Sequence, residues 1–251
     1  MDTNTQAHQS EILTPKEIRR YNLQIGLPGL GMKGQEKLKN SSVLVIGAGG
    51  KGSSVLENLV TVGTGRIGIS DNFPVQEQDL SRQHLYGNGD LGKQKAIIAR
   101  QKLQEINHLV DLQLHNVCLN KDNIGPIAAR YDVLVDATDN FPAHYLIDET
   151  SKNLKKPLIF GSFFNSQGYV SVFNYGHGGS LKDTYPQPEK ETGYTGNGFA
   201  CQVTLMSIIG AIMANETIKV LLGMDSVLAG NILVIDSASY TLNLTKPGKV
   251  L

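Results

Sequence analysis

The stretch from Ser42 to Asp71 constrains the fold more than any other part of the chain. Val43-Leu44-Val45-Ile46 is a short apolar run, rich in β-branched residues and bounded by glycine. That is the pattern of a strand buried on both faces, as parallel sheets require. Gly47-Ala48-Gly49-Gly50-Lys51-Gly52 follows, then Val55, Leu56, Leu59, Val60 and Val62 at helical spacing, then a second strand, Arg66-Ile67-Gly68-Ile69, leading to Asp71. Strand, glycine turn, helix and strand form a βαβ unit, which needs a sheet with helices packed on it.

The alternation continues. A helix is expected from Gly92 to Ile106, a strand from Leu112 to Val117, a short helix over Asn123 to Ala129, and a strand at Val133-Leu134-Val135. The class is α/β: a doubly wound, Rossmann-like, mostly parallel sheet. Upstream, Thr14-Pro15-Lys16-Glu17 reads as a capping box with proline at the first helical position. Its helix is broken by Gly26, Pro28, Gly29 and Gly31 before a short helix over Gln35 to Lys39. Past a helix from Tyr145 to Leu154, the strands Leu158-Ile159-Phe160 and Tyr169 to Phe173 lie too close for a crossover helix, so the sheet is expected to turn antiparallel. Residues 174–200, without apolar periodicity, read as a loop or lid. A helix from Val203 to Leu222 and strands at Ile232 to Ile235 and Tyr240 to Leu244 close a single domain over residues 1–251, with 1–12 a flexible tail.

Composition removes several classes of function. The chain has 251 residues, 40% hydrophobic and 18% charged, with 23 Lys and Arg against 23 Asp and Glu. A folded chain of this length buries roughly three quarters of its extended surface, and a balanced charge gives no general pull toward nucleic acid or anionic membrane. Met1 to Gln9 is polar, and no run reaches the roughly 18 uninterrupted apolar residues of a membrane span. The two cysteines, Cys118 and Cys201, are too few for a disulfide framework, and the cytoplasm is the expected compartment.

The Gly47-x-Gly49-x-x-Gly52 turn lets backbone approach a phosphate and aims a helix N-terminus at it, with Gly50 inside the same turn. Asp71, about 20 residues on, is placed to accept both hydrogen bonds of a ribose diol. These residues alone allow a dinucleotide dehydrogenase and an ATP enzyme equally. Asp79-Leu80-Ser81-Arg82-Gln83, with Lys93 and Lys95, then adds three cations, which a triphosphate needs far more than a dinucleotide does. Asp136-Ala137-Thr138-Asp139-Asn140 follows a strand, which puts carboxylates at the ligand-binding end of the sheet, and Asp139 is a candidate magnesium ligand. The six histidines form no pair at metal-ligand spacing on one helix, and no Tyr-x-x-x-Lys pair marks an oxidoreductase.

The segments Arg20-Tyr21-Asn22-x-Gln24-Ile25, Val45-Ile46-Gly47-x-Gly49-Gly50-x-Gly52, Asp79-Leu80-x-Arg82-Gln83, Gly92-x-x-Lys95, Asp136-x-Thr138-Asp139-Asn140 and Glu216-x-Ile218-Lys219 run in an order that resembles the ThiF/MoeB/HesA group. This group comprises prokaryotic relatives of the ubiquitin-activating enzymes, and the resemblance spans Leu13 to Leu244. It implies a homodimeric adenylyltransferase that uses Mg-ATP to adenylate the C-terminal glycine of a ubiquitin-like sulfur-carrier protein. By the same resemblance, Asp71 binds ribose, Arg82 and Lys95 the phosphates, and Asp139 the metal; Asp79 and Asn140 stand at nucleotide-site positions. Alignment and charge neutralisation carry such a reaction without a protein nucleophile, leaving Arg82, Lys95 and Asp139 as the catalytic set.

Four features depart from the group's pattern. Leu23 stands where the group has an arginine that reaches the partner subunit's ATP, and Asp79 and Phe73 replace the usual asparagine and acid. The paired Cys-x-x-Cys ligands are missing, with Tyr185-Pro186-Gln187-Pro188 near the first pair, so no zinc is expected. Cys201 falls about five residues after the usual thiol position. The alternative function is a non-catalytic partner subunit that binds nucleotide and protein without turnover. A dimer is also expected from the Val203–Leu222 helix, because Leu205, Met206, Ile208, Ile209, Ile212 and Met213 make it apolar on more than one face.

Overall fold

A computed structural model describes residues 12–186, 203–225 and 227–246. The helices and strands, in chain order, are α1 (Pro15–Ile25), α2 (Gly31–Lys39), β1 (Ser42–Ile46), α3 (Gly50–Val62), β2 (Arg66–Ser70), α4 (Lys95–Ile106), β3 (Asp111–His115), α5 (Ile124–Ala128), β4 (Val133–Asp136), α6 (Phe141–Leu154), β5 (Leu158–Phe164), β6 (Gln167–Phe173), α7 (Leu181–Thr184), α8 (Val203–Leu222), β7 (Ile232–Asp236) and β8 (Thr241–Thr245). The sheet order is β3-β2-β1-β4-β5-β6-β7-β8. The first five strands are parallel and the pairs from β5–β6 onward antiparallel, which is the switch expected from the short β5–β6 connection.

Alternation along β1 divides the core between two layers. Val43 and Val45 pack with Leu56, Leu59, Leu103 and Met213 beneath α3, α4 and α8. Leu44 and Ile46 pack with Leu134, Phe160 and Phe173 on the opposite face, under α5 and α6. Each fully buried aliphatic side chain of this kind contributes about 1.5–3 kcal/mol relative to exposure. The expected capping box forms on α1: Thr14 Oγ1 accepts from the Glu17 amide at 3.3 Å, and Glu17 Oε2 accepts from the Thr14 amide at 2.7 Å.

Several boundaries differ from the sequence reading, each for a local reason. Helix α2 starts at Gly31, not Gln35, because the Gly34 amide already reaches Leu30 O at 2.9 Å. Helix α4 starts at Lys95, not Gly92, since Gly92 and Lys93 pair with Val75 across the preceding loop. Strand β3 ends at His115, where Val117 folds back to donate to the His115 carbonyl at 2.8 Å. Helix α6 begins at Phe141, four residues early, because Asn140 caps it by accepting from the Ala143 amide at 2.9 Å. Strands β5 and β6 extend to a tight turn in which Asn165 adopts φ +54°.

Of the segment read as a loop or lid, residues 174–186 include α7, which docks on Asp148 through the Leu181 and Lys182 amides at 3.0 Å each. Residues 187–200, Cys201 and tail residues 1–11 lie outside the described residues. Helix α8 matches a membrane span in length and composition, but it packs against α3, β5 and β6 with just over half of its apolar window buried. Leu205, Met206, Ile209 and Met213, offered by the sequence as a dimer face, are spent on the chain's own core, while Ile208 is exposed.

Candidate nucleotide site

The glycine turn closes as its spacing requires. Gly47 takes φ +96°, and its amide donates to Ser70 O at 2.8 Å, which ties the turn to β2. At Gly52 a Cβ would stand 1.9 Å from Gly47 O, so no side chain fits there. Gly49 is the N-cap of α3 and Gly50 its first residue; with no side chain capping the helix, its first amides are left available. Tyr86 braces the turn by donating to Ala48 O at 2.7 Å.

Asp71 follows β2 on the rim of a 480 Å³ cavity whose apolar wall includes Phe73, Val117, Leu119, Pro142 and Leu146. The volume is that of a small-ligand site. Asp71 Oδ2 accepts from the Ala48 amide at 2.8 Å and Oδ1 from the Phe73 amide at 2.9 Å, leaving one lone pair on each oxygen. Burial pushes its carboxyl above the usual range, against those two backbone donors and the charge of Lys95. Cys118 is exposed beyond β3 and lines this cavity.

Arg82, Lys95 and Asp79 come together beside the turn. Asp79 is buried, accepting from Lys95 Nζ at 2.8 Å, Gln83 Nε2 at 2.7 Å and the Gln76 amide at 3.0 Å, with Arg82 Nη2 at 3.5 Å. Burial alone would raise its carboxyl, but Lys95, the Gln76 amide and Arg82 outweigh that and hold it low. Asp79 is therefore neutralised in place, and the cluster keeps a net positive charge. Arg82 Nε is buried with no hydrogen-bond partner among the described residues, an orphan donor suited to a phosphate oxygen.

Asp139 follows β4 and is not a helix cap; Asn140 holds that role, while also lining the cavity. Its Oδ1 accepts from Lys51 Nζ at 2.8 Å. No group of three or more His, Cys, Asp or Glu able to hold a metal occurs among the described residues. A single carboxylate with one open oxygen suits magnesium completed by phosphate and water, and suits no all-protein cage.

The family model described as "ThiF family" matches residues 21–249. The chain belongs to the ThiF family. It is 38% identical to a sulfur carrier protein adenylyltransferase from Thermus thermophilus, covering 89% of this chain and 85% of the relative. It is 40% identical to a probable molybdopterin-synthase adenylyltransferase from Porphyra purpurea, with 92% and 61% covered. Against the adenylyltransferase and sulfurtransferase MOCS3 of Drosophila yakuba it is 39% identical, covering 90% of this chain and half of the relative. The chain thus spans only about half to three fifths of these last two. Among solved structures, Escherichia coli MccB with MccA-N7isoASN aligns with TM-score 0.81 at 21% identity, covering 93% of this chain and 72% of that one, and PaaA aligns at 0.80 and 21%, covering 100% and 79%. At that identity the likeness establishes the fold.

Two of the ThiF-like motifs prove to be packing devices in this chain. Tyr21 Oη accepts from Asn107 at 2.9 Å, and Gln24 donates to Val62 O at 2.8 Å, tying α1 to its neighbours. Glu216 anchors α8 by accepting from the Leu228 amide at 2.7 Å and from Lys219. Leu23 stands outward on α1. Sequence reasoning missed Lys51 and His144. His144 pairs with the buried Asp136 at 2.7 Å, whose carboxyl is held low by His144 and Thr138 in spite of burial. The visible signal for Lys51 was a lysine inside an otherwise Gly and Ala turn; for His144, it was a histidine eight residues after Asp136.

Proposed function

We propose that this chain uses Mg-ATP to adenylate the C-terminal carboxylate of a ubiquitin-like sulfur-carrier protein. The observation that carries this reading is the arrangement around one glycine turn: the Asp71 cavity, the Arg82–Lys95–Asp79 cluster with its orphan donor, and the half-exposed Asp139. The names of ThiF-family relatives from Thermus and Porphyra support it. Asp71 takes the ribose hydroxyls, and the apolar wall that includes Phe73 and Leu146 takes the base. The first amides of α3, with Arg82 and Lys95, meet the phosphates. Asp139 holds magnesium, which supplies neutralisation of the triphosphate's charge.

A carrier carboxylate oxygen attacks the α-phosphorus, a new P–O bond forms to the acyl group, and the bond to pyrophosphate breaks. No proton moves and no protein nucleophile is consumed. The residues contribute alignment and fixed positive charge, which account for most of the catalysis in phosphoryl chemistry. The same reading places two chains together as a homodimer, supported by the exposed Leu23 and Ile208.

The test is carrier-dependent ATP–pyrophosphate exchange by the purified chain. Exchange that requires a carrier with a C-terminal glycine supports the proposal. Nucleotide binding without exchange, across a panel of such carriers, replaces it with the partner-subunit reading, which the commitment of Arg82 and Lys95 to Asp79 favours.

A further inference from the structure

We propose that Lys51 is a built-in counter-cation for Asp139, one that lets this site accept a nucleotide's phosphate chain in the absence of a divalent ion. The inference rests on the nucleotide reading above and concerns a residue to which that reading gives no task.

Lys51 is the second residue of α3, and its side chain is 1% exposed. Its ammonium donates to Thr138 O at 2.9 Å and to Asp139 Oδ1 at 2.8 Å, and it lies 5.3 Å from the centroid of the Phe163 ring. Burying an ammonium is costly unless it is paired and hydrogen-bonded, and here a carbonyl, a carboxylate and an aromatic face share that task. A tether serving only the fold would bury both partners, yet the Asp139 side chain is 44% exposed. The cation is fixed from beneath and the carboxylate is presented, with one oxygen committed and the other open.

The electrical consequence follows from proximity. A bare carboxylate beside the glycine turn would repel a triphosphate carrying nearly four negative charges until a metal arrived. Paired to Lys51, Asp139 brings no net charge to the phosphates, and its open oxygen still serves a metal that comes with the nucleotide. Lys51 therefore reduces how much nucleotide affinity depends on magnesium. It is a positioning residue, acting through Asp139.

The test measures binding, independent of turnover. Calorimetry with α,β-methylene-ATP, once in EDTA and once in excess magnesium, yields the ratio of the two dissociation constants for each variant. In the unmodified protein we expect a ratio below about five; in Lys51→Met that ratio rises about tenfold, because metal-free affinity falls about tenfold while affinity with magnesium hardly moves. Lys51→Gln, which keeps a donor for Thr138, gives the same rise if Lys51→Met does not fold. The decisive arm is the double variant Lys51→Met/Asp139→Asn, in which there is no carboxylate left to neutralise: metal-free affinity returns to within about threefold of the unmodified protein. A merely structural lysine would give additive losses instead. Normal binding with a ratio that neither lysine variant moves, or a double variant that fails to recover, overturns this inference alone. No binding of the analogue by the unmodified protein in either buffer overturns the nucleotide reading and this inference with it.

Discussion

Two ion-pair clusters flank the glycine turn, and they are built with opposite polarity. At Asp79 the acid is buried together with Lys95 and only Arg82 reaches outward: the side chains are 3%, 10% and 30% exposed. At Asp139 the cation is buried and the acid faces outward, 1% against 44%. The composition of the two is similar, but one presents a guanidinium over a buried acid and the other a carboxylate over a buried ammonium. Which charge a site offers is set by which partner the fold covers. A buried Asp79 pulls two cations toward the turn, where phosphate is expected, while a buried Lys51 leaves Asp139 available to a metal.

The sharpest way to break the contrast is to remove the buried partner of the first cluster. Asp79→Ala leaves Lys95 and Arg82 facing each other without their acid and strips the Gln76 amide of its acceptor. Denaturant unfolding should show a loss of about 3–5 kcal/mol. A loss below about 1 kcal/mol would mean that the two cations are held by something other than Asp79.

Changing the exposed partner of the second cluster should act on chemistry instead. Asp139→Asn keeps an oxygen for Lys51 and leaves the Asn140 cap intact, but the buried ammonium loses its counter-charge, so the melting temperature should fall while the chain still folds, and exchange is measured below that transition. Pyrophosphate exchange should fall at least about a hundredfold, roughly 2.7 kcal/mol. Near-normal exchange in a stable Asp139→Asn protein would deny that residue its metal role.

A further cation, placed outside both clusters, tests whether positive charge limits the site. Leu23 is exposed on α1, so Leu23→Arg costs little stability, and in the homodimer reading it tightens ATP binding about tenfold by calorimetry, roughly 1.4 kcal/mol. Unchanged affinity would separate residue 23 from the partner's nucleotide.

The smallest effect is in pH. Asp79 titrates below its unfolded value, so its contribution is present above that value, about pH 4, and is lost as pH falls through the folded pKa. Asp71 is shifted the other way: its ionised form costs stability at neutral pH, a cost relieved as pH falls through its raised pKa. Asp79→Asn should therefore flatten the acid decline of stability below about pH 4, while Asp71→Asn leaves that decline in place or steepens it. The reverse result in acid unfolding curves would invert the assignment of the two carboxyls.

Much of the architecture was legible because it is written in local pattern. The apolar run before Gly47, the helical spacing from Val55 to Val62 and the capping box at Thr14 each act over a few residues, and each forms where its chemistry places it. Where boundaries shifted, distant or looping backbone had supplied hydrogen bonds, as Val75 does for Gly92 and Lys93 ahead of α4. The apolar faces of α8 were legible as well, but not their partner: the same side chains satisfy the core of one chain or the surface of two, and only packing against α3 and the sheet shows the former.

Sequence alone therefore determined the class of fold, the glycine turn and the residue types gathered around it, because strand period, helix period and steric demands on glycine are properties of neighbours in the chain. It also identified Asp79 and Asp139 as acids at a phosphate-binding turn. Whether each acid would meet the ligand or be answered from within was decided by tertiary structure, since Lys95 reaches Asp79 from the next helix and Lys51 reaches Asp139 across 88 positions of chain. Charge is a property of the residue, but the charge a site presents depends on burial, and burial is settled only when the elements pack.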